Sequence, residues 1–453
     1  MKSRRKKDRL FLLFIILLLV SIGYAALSTT LKINGTAKIA KNTWSIYWDE
    51  DTISKTSGSK GDTTPTVTNG DDGSVNTKLN WSVNFELPGE FYEFTIDAVN
   101  DGTIDAMVSD IESTLPNNLP SYIKYSVTYA DGVPIAKNQK FDKKSSHKYK
   151  VRVDFLDTIT PEELNLIPEG GSSYNFEYTV TYSQATSDAY QKATTFDNDT
   201  WDVIKKNVTA APESYPIGST KTIEMDIDGD QTPETYTLRV ANNSKPDVCK
   251  GENFSQTACG FVVEFADVID VHRINIDDRT NTPGSSSTGS WKYSDMRAFV
   301  NSGTYAYGNI DYTTNGIYYR LPDELKNKII PTKVLSGHNI VDTQNFESED
   351  KLYLLSTVEV WGDTLPVDSN GYETLTTEYT RQLDYYHNKK VTTTSNCSFA
   401  LKKNSRGVNY DWWLRAPQAN WYWNFVYVSA NKGGCWDREP VSYTEGVSPA
   451  FRL

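Results

Sequence analysis

The feature that most restricts the fold is a strict two-residue alternation of apolar and charged side chains. Tyr149, Val151, Val153 and Phe155 are interleaved with Lys148, Lys150, Arg152 and Asp154, and such a stretch can bury one face and wet the other only as a β-strand. Tyr174, Phe176, Tyr178, Val180 and Tyr182 repeat the pattern, and Trp44, Ile46 and Trp48, then Trp81, Val83 and Phe85, supply earlier strands. Turn-forming clusters, Asn69-Gly70-Asp71-Asp72-Gly73 and Asn100-Asp101-Gly102, separate them. Residues 28–185 are therefore expected to form an antiparallel β-sandwich, the arrangement that covers two such faces at once. Lys55 to Lys78, rich in Ser, Thr, Gly and Asp, reads as a long exposed loop, and Pro161-Glu162-Glu163-Leu164 as a short helical insert.

The start of the chain has a different character. Met1 to Arg9 is basic, Leu10 to Ile22 is apolar apart from Ser21, and Gly23-Tyr24-Ala25 places small residues where a signal peptidase reads. That three-part layout is a secretory signal. Leu10 to Leu27 is also close to the minimum length for crossing a bilayer, so residues 1–27 are expected to be a signal or membrane anchor segment. The basic residues would stay in the cytoplasm and the remainder would lie outside, at the plasma membrane or secreted. The chain carries a net charge of -12, and without the six basic residues and one acid of its first 25 residues the remainder stands at -17. A surface so acidic repels phosphate backbones, and nucleic acid is excluded as a partner.

The second half mixes periods. A polar linker is expected at 186–197, followed by an α+β domain over 198–453. It opens with a short helix, Trp201 to Lys206, and a hairpin that runs through Ile223-Glu224-Met225, an Asp-Gly turn and Tyr236 to Val240. Helices are expected at Ser294 to Asn301 and Pro322 to Lys328, with the proline in a first turn. Phe425 to Val428 is apolar on both faces and reads as a covered strand. The four cysteines pair most naturally as Cys249 with Cys259 and Cys397 with Cys435, as exported disulfides do; the other two connectivities and free thiols remain open.

Two stretches resemble known families. Gly23 to Ser28, Asn34-Gly35-Thr36-Ala37, Trp44 and the strand-turn-strand run Phe94 to Ala106 resemble the TasA and camelysin group of exported Gram-positive envelope proteins, over roughly residues 20–185. That resemblance implies extracellular matrix or surface display and no catalysis. Trp291, Ser294, Met296-Arg297, Leu321-Pro322, Leu354-Leu355-Ser356, Glu359, Trp412-Trp413-Leu414-Arg415-Ala416-Pro417 and the closing Gly446 to Phe451 resemble a bacterial domain of unknown function at the C-terminus of exported Firmicutes proteins. Ala416 and Ser448 depart from the commoner Ser and Arg. The closing pattern is also similar to C-type-lectin-like and formylglycine-generating-enzyme-like folds, an analogy of fold alone.

Two clusters are candidate sites. Asp226, Asp228 and Asp230 with Glu234 gather hard oxygen ligands around Gly229, as a calcium loop needs, although a plain hairpin turn uses the same residues. Trp421, Tyr422, Trp423 and Asn424 form the densest aromatic run; on a surface loop they would stack on sugar rings or a protein partner, while core packing is the competing reading. Trp412 and Trp413 are assigned to the core and Arg415 to a carboxylate partner. The histidines, His147, His272, His338 and His387, are scattered, and no His-Glu-x-x-His or Gly-x-Ser-x-Gly pattern is present. The expectation is a non-enzymatic surface binding or display protein, adhesin-like, with an extracellular glycan or protein as ligand. A matrix or fibre-forming role is the alternative.

Overall fold

The computed structural model describes residues 41–60, 64–116, 119–275, 290–302, 310–362, 373–421 and 423–453. The expected signal or anchor segment, 1–27, lies outside the described residues. Among the described residues no helix is long and apolar enough to cross a membrane. Trp44–Leu453 forms one compact unit.

Its first part is the expected sandwich. Strands β1 (Ile46–Lys55), β4 (Phe91–Asn100), β8 (Ser145–Phe155) and β6 (Ile123–Tyr129) make one antiparallel sheet in the order β1-β4-β8-β6. Strands β7 (Lys140–Phe141), β5 (Ala106–Thr114) and β9 (Glu177–Gln184) make the other, in the order β7-β5-β9. Tyr149, Val151, Val153 and Phe155 all point into the core from β8, opposite Ile96, Phe94 and Tyr92 of β4 in register. The sheets meet through a Tyr149–Tyr182 hydroxyl contact and through Tyr125 stacked on Phe176 at 4.6 Å.

Two local expectations are corrected. Trp81 to Phe85 is not a strand: Lys78–Asn80 (β3) pairs instead with Thr66–Thr68 (β2), which folds part of the expected Lys55–Lys78 loop into a hairpin. Trp81 belongs to no ladder and packs against the Tyr125–Phe176 pair, 6.0 Å from each ring. The inserted helix Pro161–Asn165 forms as expected, started by a capping box between Thr160 and Glu163.

Segment 186–197 is packed, burying Tyr190, Ala193 and Phe196. Asn207, on the helix Trp201–Ala210, accepts from Ala193 N at 3.1 Å and from Gln139 Nε2 at 3.3 Å, so the segment is tied to both sides of it. Beyond it, β10 (Thr220–Met225) and β11 (Glu234–Asn242) form the expected hairpin, extended by β12 (Val262–Phe265) and by β22 (Ala450–Arg452), the last strand. A second sheet runs β13-β21-β18-β19-β20 (Asp270–Arg273, Thr444–Val447, Trp412–Pro417, Asn424–Val428, Trp436–Pro440). Every residue of β18 is buried, Trp412 and Trp413 included. The helix Asp295–Asn301 is capped by Ser294, and in Asp323–Lys326 the proline at 322 is the N-cap and not a first-turn residue. The fold is mainly β, with antiparallel sheets and few, short helices.

Both expected disulfides are present, Cys249–Cys259 and Cys397–Cys435. Gly434 has φ +91°, and a Cβ there would collide with the Cys397 carbonyl, so glycine is what lets the second bridge close.

Candidate functional site

The aromatic run lies where β18 turns into β19. Pro417 ends the first strand, and Gln418 closes the loop by donating its N–H to Asn424 O at 2.9 Å. Asn424 Nδ2 donates back to Gln418 Oε1 at 3.0 Å, and Gln418 Nε2 to Asn420 Oδ1 at 3.1 Å. These bonds fix a short loop from which Trp421 and Trp423 project, 44% and 40% exposed, against full burial of Trp412 and Trp413. The two indoles meet edge to face, with centroids 5.6 Å apart at 80°. Val441 N donates to Trp423 O at 2.7 Å, which ties the platform to the turn before β21, where Tyr443 is also exposed. Core packing is thus corrected for Trp421 and Trp423: the loop that carries them passes the end of the sheet, beyond its buried faces. Tyr422 lies outside the described residues. Asn424 is half-buried and positions the loop, with its Oδ1 buried and unpartnered.

An exposed, prearranged pair of indoles offers flat apolar area whose ordering is already complete, so a ligand that stacks there meets little conformational cost. Sugar rings and apolar or cationic side chains suit such a surface.

In the acidic hairpin the carboxylates of Asp226, Asp228 and Asp230 converge, with ligand atoms within 4.8 Å of one another. Glu234 stands outside this group, because its Oε2 faces Ile227 N and the Tyr236 hydroxyl, each at 3.4 Å. Asp226 accepts from Gly229 N at 2.6 Å and Gln231 N at 2.9 Å, while Asp228 accepts from Asp230 N and Asp230 from Thr232 N. The turn is therefore organised by its own backbone. Arg320, whose Nη2 lies 4.0 Å from where a Gly229 Cβ would stand, already supplies a positive charge beside it.

Three buried ion pairs, of which the sequence indicated only one partner, hold the C-terminal region together. Arg415 donates to Glu359 through Nη1 at 2.6 Å and Nη2 at 2.5 Å, and to the carbonyls of Leu354 and Leu335. Burial opposes ionisation of Glu359, but the Arg415 guanidinium outweighs it and holds the carboxyl below its ordinary value. Lys402 donates to Glu264, to Phe265 O and to Ser448 Oγ at 2.7, 2.6 and 2.8 Å. Arg297 pairs with Asp350 at 2.6 Å, which also accepts from Trp291 Nε1. A further acid, Glu373, is wholly buried, and burial outweighs the Arg415 charge and the Thr357 backbone N–H and pushes it up to about 8. Nothing in the sequence around Glu373 distinguishes it from the exposed Glu378.

Residues 267–453 match a family described as Domain of unknown function (DUF6273). The match contains every residue on which the C-terminal resemblance rests, as well as Trp421, Trp423, Arg415, Glu359 and Lys402. No curated protein matches the chain.

Proposed function

We propose that the chain is an exported, non-enzymatic binding protein of the bacterial cell surface, whose C-terminal domain presents Trp421 and Trp423 to an extracellular glycan or protein. The observation that carries this reading is the exposed, edge-to-face indole pair on a hydrogen-bonded loop. Two disulfides and the N-terminal basic and apolar segment support an oxidising, extracytoplasmic setting. The test is binding of the full chain to a glycan and host-protein array, with Trp421→Ala and Trp423→Ala as paired controls. Ligands bound by the parent and lost in both controls support the reading; ligands retained equally by the controls would refute the platform.

A second reading, a matrix or fibre-forming role, draws on the sandwich edges. Strands β6 and β9 each end their sheet with one side unpaired within it, and an open edge accepts a strand from another chain. The resemblance of residues 20–185 to the TasA and camelysin group favours the same idea. Negative-stain images separate the two, since filaments favour assembly and discrete particles favour display.

A further inference from the structure

The exposed indole pair has acidic neighbours that the strand register fixes. The β19–β20 ladder pairs Asn424 with Pro440, Phe425 with Glu439 and Tyr427 with Asp437. The bond from Val441 N to Trp423 O continues it by one rung, so Glu439 is the diagonal neighbour of Trp423 across the two strands. Such neighbours stand about 7–8 Å apart, within reach of an aromatic ring and a long side chain. Asp437 shares the face of Glu439, two residues away and about 7 Å further from the indoles. Arg438, between them, falls on the opposite face with Val426.

Asp437 is paired with Lys432 at 2.8 Å, whereas among the described residues no ion pair reaches the half-buried Glu439. Its carboxyl is held above its ordinary value, first by burial and then by the like charges of Asp437 and Asp411. The patch thus sets two indoles beside a carboxylate that lacks a counter-charge. An ammonium or guanidinium is attracted to both, since the face of an indole is the most favourable ring surface for a cation. A neutral sugar engages the rings alone, and an anion is repelled. Spacing narrows the ligand further. Alternate side chains of an extended segment project to one side at intervals of about 7 Å, the interval that separates Val441, Glu439 and Asp437 along β20. The net charge of -12 also favours the approach of a polycation.

We infer that the Trp421–Trp423 platform takes an extended basic segment of a protein partner, with one lysine or arginine side chain on the indoles and the next against Glu439. This rests on the platform being the binding surface, and it narrows the partner from a glycan or protein to a cationic protein.

The probe is the blocked peptide Lys-Thr-Lys-Thr-Lys, titrated calorimetrically into the full chain. Two comparators run beside it: the same peptide with norleucine for lysine, which keeps the apolar stem without the charge, and a neutral N-acetylglucosamine oligomer. Saturable binding of the lysine peptide is expected, weakened at least about fivefold by Glu439→Gln, by Trp421→Ala and by Trp423→Ala, and weakened further by added salt. The norleucine peptide should bind far less. A norleucine peptide or oligosaccharide that binds as tightly as the lysine peptide and is lost in the tryptophan variants would keep the platform and overturn the cationic partner. Lysine-peptide binding that Glu439→Gln weakens and both tryptophan variants leave intact would overturn the inference and the platform together. No lysine-peptide binding, or affinity unchanged in Glu439→Gln, would overturn the cationic partner alone.

Discussion

Arg415 and Glu359 face each other through hydrogen bonds of 2.5 and 2.6 Å with neither side chain reaching solvent. The guanidinium also holds the carbonyls of Leu335 and Leu354, and Thr257 and Thr380 answer the carboxylate, so five stretches of chain meet at the pair. Removing one partner leaves a buried charge that nothing compensates. Arg415→Ala is expected to cost about 3–5 kcal/mol, and Arg415→Met combined with Glu359→Leu to recover much of the loss. Urea unfolding of the three proteins checks it; a double variant no better than the single would contradict the account.

Glu373 gives the fold a pH dependence. Its folded value of about 8 lies above the ordinary 4.5, so between those limits the folded state keeps a proton that the unfolded chain has released. Its contribution is complete below about 4.5 and disappears as pH rises through about 8. Glu373→Gln mimics the protonated form, and should stabilise the protein by roughly 2–4 kcal/mol at pH 8 with little effect near pH 4.5. Melting temperatures across that range, in both proteins, test this. Parallel curves would show that Glu373 is not the group responsible.

Exposure separates the tryptophans energetically. Trp421→Ala and Trp423→Ala should each cost less than about 1 kcal/mol, as surface changes do. Trp412→Ala, at a fully buried site whose indole donates to Ala400 O at 3.0 Å, should cost at least about 3 kcal/mol. Denaturant midpoints for the three variants decide it, and a large loss from Trp421→Ala would place that ring in the core.

The two disulfides should differ in worth. Cys397–Cys435 spans 38 residues and Cys249–Cys259 spans 10. On the chain-entropy account the longer loop stabilises by about 1 kcal/mol more. Paired Cys→Ser variants, compared by melting, should show that order, and Gly434→Ala should block closure of the longer bridge. Full oxidation of the Gly434→Ala protein would count against the steric argument.

The acidic hairpin is organised by its own backbone, with Asp226 accepting two backbone N–H groups and Arg320 beside the turn. Chelator should leave the melting temperature unchanged, and calcium should bind no tighter than about millimolar. Arg320→Gln should tighten it. Calorimetric titration reads both proteins, and micromolar affinity in the parent would reverse the conclusion.

Where information is local, the chain announced its structure. The alternation at 148–155 specified which side of β8 is buried, the Asp-Gly turn specified the β10–β11 hairpin, and short spacings led to both disulfides. Each depends on dihedral preferences and side-chain direction within a few residues, which a single segment determines. The extended Trp81–Phe85 run misled, because the same alternation that suits a ladder also suits an aromatic stack. Which tryptophans are covered, what Arg415 pairs with and why Glu373 keeps its proton were decided only by the tertiary structure. Arg415 and Glu359 are 56 residues apart, and Lys402 and Glu264 138. Burial and charge act through space, so a side chain's environment is set by whichever distant segments the packed core brings beside it.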